Sequence, residues 1–161
     1  LFMFYNKKKI KFIENLKTKR LKLYVAESIT GGKFTSELVK IEGASKYLDY
    51  SIITYSNESK YKFLGIEEVI KIHGVVSSEV AVQMAKKISY KSSFKNKISI
   101  ACTGFASKTI DTNKNQQGIV FIAVNYKRKT NVIKKTFLQK NREEIIDLTV
   151  EAMFEQGNLI I

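Results

Sequence analysis

Hydroxyl, amine and glycine residues recur in this sequence in a pattern suited to attack on a carbonyl. The stretch Ala26-Glu27-Ser28-Ile29-Thr30-Gly31-Gly32 carries a serine ahead of two glycines. Glycine lets the chain turn sharply, and a helix opening behind the turn presents free N–H groups. Such donors hold an anionic oxygen, either a phosphate or the oxyanion of an attacked carbonyl. A serine hydroxyl is a weak nucleophile until a neighbouring base takes its proton. Tyr55-Ser56-Asn57-Glu58-Ser59-Lys60 offers that base, because a desolvated lysine beside a tyrosine or a second cation acts as a neutral amine. The chain has 25 lysines, so only position relative to Ser28 promotes Lys60. Helix capping is the simpler reading of the Ser/Thr/Gly turn taken alone.

A third glycine turn, Ala101-Cys102-Thr103-Gly104, closes another apolar run. Cys102 reads as a small buried core residue, since nothing nearby pairs it with a base. His73, ahead of Gly74, reads as a helix-terminal residue making a local hydrogen bond. One histidine and one cysteine exclude a His/Cys metal cluster and an internal disulfide, so no metal is expected.

The elements that must position these residues follow from periodicity and turn chemistry. Residues 8–20 read as an amphipathic helix with Ile10, Ile13 and Leu16 on one side. A strand over 22–27 leads into the serine turn, and a helix then runs to about Lys40. Ser51-Ile52-Ile53-Thr54-Tyr55 is β-branched and aromatic, a short strand. Asn57 is placed to cap a short helix ending near Gly65, and another covers 67–71. Ser77 or Ser78 caps a longer helix whose Val80, Ala81, Met84, Ala85 and Ile88 follow the i, i+3, i+4 rule. A strand over 97–102 ends at Thr103-Gly104, and 106–117 is polar without periodicity, a long loop. Strands over 118–126 and 130–138 form a hairpin through Lys127-Arg128-Lys129. Asn141-Arg142-Glu143-Glu144 is a capping box opening a last helix that buries Ile145, Leu148, Thr149, Ala152 and Met153. Helices alternate with strands early and a hairpin comes late. That order predicts an α/β fold, a three-layer α/β/α sandwich with a mixed, mostly parallel sheet and a late β-hairpin. Residues 1–161 read as one domain, with 1–7 as a flexible N-terminus.

The 161 residues can bury a sizeable core without staples, being 44% hydrophobic. No apolar run approaches a membrane span, and the apolar start precedes its lysines, the reverse of a secretion signal. A cytoplasmic location is expected, consistent with cysteine usage. The net charge is +13 and uneven, with eight Lys/Arg and one Glu in residues 1–22. The lysines otherwise scatter over helix surfaces, and most aromatics fall in apolar patterns rather than in a stacking module. A lysine-rich solvated surface is therefore preferred over nucleic-acid binding, and the absence of proline fits the same compositional bias.

Taken in order, several short stretches form a longer pattern. They are Val25-Ala-Glu-Ser-Ile-Thr-Gly-Gly32, Glu42-Gly-Ala-Ser45, Tyr55-Ser-Asn-Glu-Ser-Lys60 and His73-Gly-Val-Val-Ser77 with Glu79. Thr103-Gly104, Gln117-Gly-Ile-Val-Phe-Ile-Ala123 and Asn141-Arg142-Glu143 follow. The chain resembles the CinA C-terminal domain family, whose stand-alone members are nicotinamide-nucleotide amidases, from about residue 8 to about 157. The first and third elements are specific as a pair. The chain reads as that domain without the molybdopterin-binding-like domain that precedes it in full-length members. The resemblance implies hydrolysis of the carboxamide of nicotinamide mononucleotide to nicotinate mononucleotide and ammonia, with no cofactor. It assigns Ser28 as nucleophile, with Tyr55 and Lys60 relaying and accepting its proton. Turn N–H groups near Thr30 and Gly31 are the expected oxyanion donors. Gly32, Thr103, Gly104, Lys108 and Arg142 are the expected contacts to the nucleotide, Arg142 suiting a phosphate through its bidentate fork. A homo-oligomer, with a dimer favoured, is also implied.

One departure qualifies that assignment. Where the family continues Thr-Gly-Ile-Ala-Gly-Pro-x-Gly-Gly, this chain reads Phe105-Ala-Ser-Lys-Thr-Ile-Asp-Thr-Asn-Lys-Asn-Gln-Gln117, without glycine or proline. Lys108 is a substitute phosphate contact in that loop. Two further readings follow: a serine amidase with a different small amide, and a catalytically silent basic adaptor that binds a partner or nucleic acid through residues 7–22.

Overall fold

A computed structural model describes residues 2–108 and 116–161, with side chains from residue 6 onward. Among the described residues six α-helices and five strands follow one another in the order that the sequence pattern predicts. They are α1 (Phe2–Thr18), β1 (Lys22–Glu27), α2 (Lys33–Val39), β2 (Leu48–Ile53), α3 (Asn57–Leu64) and α4 (Glu67–His73). Then come α5 (Ser78–Ile88), β3 (Lys97–Gly104), β4 (Ile119–Tyr126), β5 (Lys129–Thr136) and α6 (Arg142–Ile160). The sheet order is β2-β1-β3-β4-β5. Strand β1 pairs parallel with both β2 and β3, while β3–β4 and β4–β5 are antiparallel. The pairings thus divide evenly, and the antiparallel ladders are the longer, which corrects the expectation of a mostly parallel sheet. The late hairpin is present, and its Lys127 and Arg128 both have positive φ, as a two-residue turn matched to strand twist requires.

Strand alternation sends side chains to two cores, one on each face. Leu23 and Val25 meet Phe12 of α1, Phe34 of α2 and Phe154 of α6 on one face. Tyr24 and Ala26 meet Leu64 of α3, Ile70 of α4 and Met84 of α5 on the other. Three layers result, α1/α2/α6, sheet, and α3/α4/α5. The chain leaves β1 toward the first face through α2, and leaves β2 toward the opposite face through α3. Neighbouring strands whose connections diverge this way leave a crevice at their carboxyl ends, where open sheets place ligands.

Several boundaries move from their predicted positions. Helix α1 begins at Phe2 rather than residue 8, so residues 2–7, expected as a flexible terminus, are helical. Residue 1 lies outside the described residues, as do 109–115 of the expected loop. Strand β2 starts three residues before the expected Ser51. Ser56, not Asn57, caps α3, its hydroxyl accepting the Ser59 N–H. Ser77 caps α5, and the Asn141–Glu144 capping box opens α6 as expected. Among the described residues no helix is long and apolar enough to cross a membrane.

Candidate active site

Strand β1 ends at Glu27, and the next residue, Ser28, sits at the crevice mouth with little of its surface exposed. Lys60 lies on the first turns of α3. Its aliphatic stem and amine are fully buried, at 0% exposure. The amine reaches Ser28: Lys60 Nζ lies 2.9 Å from Ser28 Oγ. Lys60 also donates to the Thr54 carbonyl at 2.6 Å and to the Tyr55 carbonyl at 3.3 Å. No ion pair holds it among the described residues. Burial pushes its pKa down to about 8, against an opposing pull from Cys102.

The partners of Lys60 match the valence of a neutral amine. Two carbonyl oxygens only accept, and they take its two N–H groups. The third partner, a hydroxyl, can donate to the remaining lone pair. When Lys60 is charged it donates to Ser28; when it is neutral the bond reverses and the serine proton points at a base.

A cavity of about 300 Å³ opens over this pair. Ser28, Lys60, Thr103, Gly104, Lys108 and Arg142, each expected at the site, lie in its wall, and so does Tyr55. Gly104 is required by close packing, since a Cβ there would come within 2.9 Å of Ile29, the Ile119 carbonyl and Val120. Thr103 is not a free donor. Its hydroxyl bonds the Val75 carbonyl at 2.8 Å, pinning the segment between α4 and α5 against the strand end. Arg142, the first residue of α6, donates through Nη1 to Ser107 Oγ at 2.9 Å and through Nη2 to the Tyr55 hydroxyl. No carboxylate neutralises it among the described residues.

Two expectations need correction. The Tyr55 hydroxyl does not lie between Ser28 and Lys60, so the expected relay role fails on geometry. It accepts from Arg142 with the ring more than half exposed, and Lys60 meets Ser28 directly. The turn after Ser28 also does not supply an oxyanion site. Thr30, Gly31 and Gly32 are absent from the cavity wall. The Gly31 N–H bonds the Ser28 carbonyl at 3.1 Å, and the Ser28 and Thr30 N–H groups face the Cys102 sulfur. The helix N-terminus behind the turn is already filled by the protein's own carboxylate. Glu27 accepts from the N–H groups of Gly32, Phe34 and Thr35 and from the Thr30 and Thr35 hydroxyls. It is fully buried.

Glu27 is therefore the residue that sequence reasoning missed. An acidic residue directly ahead of a Ser/Thr/Gly turn and a helix start is the available signal, because such a carboxylate satisfies the orphan N–H groups. Asn57, Val75 and Val76 also line the cavity without having been singled out. Each lies within a stretch of the longer sequence pattern. Cys102 is buried as expected, and burial pushes its thiol up to about 11, which leaves it inert. No group of three or more metal-ligating side chains occurs among the described residues.

Comparison with known sequences matches residues 6–158 to the CinA C-terminal domain. The chain belongs to the CinA C-terminal domain family. It is 40% identical over 129 residues to a competence-damage inducible protein of Finegoldia magna, covering 80% of this chain and 29% of that one. It is 37% identical over 141 residues to a CinA-like protein of Flavobacterium psychrophilum, covering 87% and 33%. The chain thus spans about a third of the length of these curated relatives. The crystal structure of competence/damage inducible protein CihA from Agrobacterium tumefaciens superimposes with a TM-score of 0.86 at 27% identity, covering 94% of this chain and 92% of that one. The CinA fold carries the crevice, and the side chains described above equip it.

Proposed function

We propose that this CinA-family chain is a serine amidohydrolase of the nicotinamide-nucleotide amidase type. The observation that carries this reading is the 2.9 Å contact between Ser28 Oγ and a fully buried Lys60 amine whose pKa lies near 8. A buried lysine without a counter-ion is unfavourable for a fold and useful for a general base.

In the proposed reaction Ser28 Oγ attacks the carboxamide carbon while its proton passes to Lys60 Nζ. Collapse of the tetrahedral species breaks the C–N bond, and the Lys60 ammonium returns that proton to the leaving nitrogen, which departs as ammonia. Water then attacks the acyl-serine ester with Lys60 again as base, releasing the carboxylate and restoring Ser28. Arg142 and Lys108 both lie in the cavity wall, neither is paired with a carboxylate among the described residues, and both suit a phosphate at the open end.

A second reading keeps the chemistry and changes the amide. Ser107 and Lys108 form part of the cavity wall where the family has glycine and proline. Side chains there occupy space that a glycine-rich loop leaves open.

The deciding experiment is ammonia release from nicotinamide mononucleotide and from a panel of nucleotide and non-nucleotide amides. The first reading expects release from the mononucleotide, abolished by Ser28→Ala and strongly reduced by Lys60→Ala. Release only from another amide, with the same dependence on Ser28, selects the second reading. No release from any amide, with Ser28→Ala indistinguishable from the parent, overturns both.

A further inference from the structure

The basic excess of the first 22 residues has no part in the chemistry above, and three of its eight cations are gathered in one place. Lys17, Arg20 and Lys22 converge with Lys46 on a second cavity of about 380 Å³. Leu16, Tyr47 and Phe94 give it apolar walls, and Asn96 completes it. The cavity lies at the amino end of the sheet. Lys22 opens β1, Tyr47 precedes β2 and Asn96 precedes β3. The six residues of β1 separate it from Ser28, roughly 20 Å at strand rise.

Three features distinguish this cavity from a solvated lysine surface. First, none of the four cations forms an ion pair among the described residues, and no carboxylate lines the wall. Two of them turn to neutral groups instead. Lys17 Nζ donates to the Glu42 carbonyl and Lys22 Nζ to the Ser45 carbonyl, each at 3.3 Å. Lys17 and Arg20 suit the carboxyl end of α1, but Lys22 and Lys46 lie off that helix, so its dipole does not explain the cluster. Gathered like charges raise the local potential and favour an anion.

Second, the cations flank aromatic faces. Lys22 Nζ stands 5.4 Å from the Phe94 ring centroid and Lys17 Nζ 5.7 Å from that of Tyr47. A charged rim above ring walls suits a ligand that is itself part ring and part anion. Third, one amide ties the rim together. Arg20, at φ +51°, closes α1 in a Schellman turn, its N–H on the Lys17 carbonyl and the Leu21 N–H on the Leu16 carbonyl. Asn96 Nδ2 donates to the Lys19 carbonyl at 2.6 Å and the Arg20 carbonyl at 3.1 Å, and the Lys22 N–H bonds the Asn96 carbonyl at 3.0 Å, so the end of α1 and the starts of β1 and β3 are held as one unit.

We infer that this cavity is a second binding site, separate from the catalytic crevice, for a nucleotide bearing more than one phosphate. Its phosphates contact the Lys17, Arg20, Lys22 and Lys46 cluster and its base packs against the exposed ring of Phe94. The inference does not depend on the amidase reading.

Calorimetric titration of the purified chain at low salt with ATP, adenosine and tripolyphosphate tests it. ATP is expected to bind saturably, with adenosine and tripolyphosphate each at least tenfold weaker. Lys22→Gln/Lys46→Gln and, separately, Phe94→Ala should each weaken ATP at least tenfold with unchanged far-UV dichroism. Arg142→Ala, in the other cavity, should leave ATP affinity unaltered. Amide shifts on titration should appear at Tyr47 and Asn96 and not at Ser107. Absence of ATP binding, tripolyphosphate binding as tightly as ATP, or loss of binding in Arg142→Ala alone would each overturn the inference.

Discussion

The Glu27 carboxylate accepts both the backbone N–H and the hydroxyl of Thr35, at 2.9 and 2.6 Å, from its position directly before Ser28. It thereby ties the end of β1 to the first turn of α2, and Ser28 is fixed between them. Glu27→Gln removes the charge and leaves an amide group that cannot accept on both sides. A loss of about 2–4 kcal/mol is expected, the range for breaking a buried, charge-assisted network. Because reacting atoms must be placed to within about 1 Å, kcat should fall on the order of tenfold to a hundredfold. Denaturant melts and amide-hydrolysis rates on the same preparation check both halves.

Lys60 sets the expected pH dependence. It acts as a base only when neutral, and its pKa near 8 places that form above physiological pH. Under the proposed reaction kcat/KM for amide hydrolysis should therefore rise about tenfold per pH unit below 8 and level off above it. Initial rates of ammonia release from pH 6 to 9.5 test this. A flat profile across that range would remove Lys60 as the base.

The same burial makes Lys60 a liability to stability with a definite sign. Its pKa is near 8 folded and 10.5 unfolded, so between those values the unfolded chain binds the extra proton and stability rises with pH. Below pH 8 the full penalty is present. Lys60→Met removes it, and a gain of up to about 3 kcal/mol at pH 7 follows from the shift, less the two carbonyl bonds lost. The variant should be more stable at pH 7 than the parent, should lose that advantage by pH 10, and should be inactive. Chemical denaturation at the two pH values measures it.

Much of this arrangement is legible in the sequence because local chemistry dictates it. The capping box of α6, the apolar stripe of α5 and the Lys127-Arg128 hairpin turn are each specified by residues within one or two turns of one another. Lys60 is legible as a candidate base only once β2, which leads into its helix α3, is placed beside β1, since nothing in its own segment separates it from the other lysines. Glu27 was obscured for a related reason. Its five donors come from residues three to eight positions ahead, and only the folded turn brings them onto one carboxylate. Thr30 and Gly31 looked like oxyanion donors because a free helix start offers N–H groups, and that inference fails where a buried carboxylate has already taken them. The cavity at the amino end was invisible for another reason. Lys17 lies in the last turn of α1, Lys22 opens β1, Lys46 lies ahead of β2 and Phe94 ahead of β3, and no periodicity links them.

Substitution at Arg142 tests substrate recognition apart from chemistry. Its guanidinium spans Ser107 and the Tyr55 hydroxyl across the cavity mouth, using two donors and leaving others for a ligand. Arg142→Lys keeps the charge and loses the planar fork, while Arg142→Ala loses both. If the group at that end of the substrate is a phosphate, Arg142→Ala should raise KM for a phosphorylated amide about tenfold to a hundredfold, and Arg142→Lys by less. Neither should change KM for the corresponding unphosphorylated amide, because Ser28 and Lys60 bond each other without any help from Arg142. Steady-state kinetics with a nucleotide amide and its nucleoside counterpart make the comparison. A matching rise in KM for both substrates would mean that Arg142 shapes the wall through Tyr55 and Ser107 rather than binding phosphate.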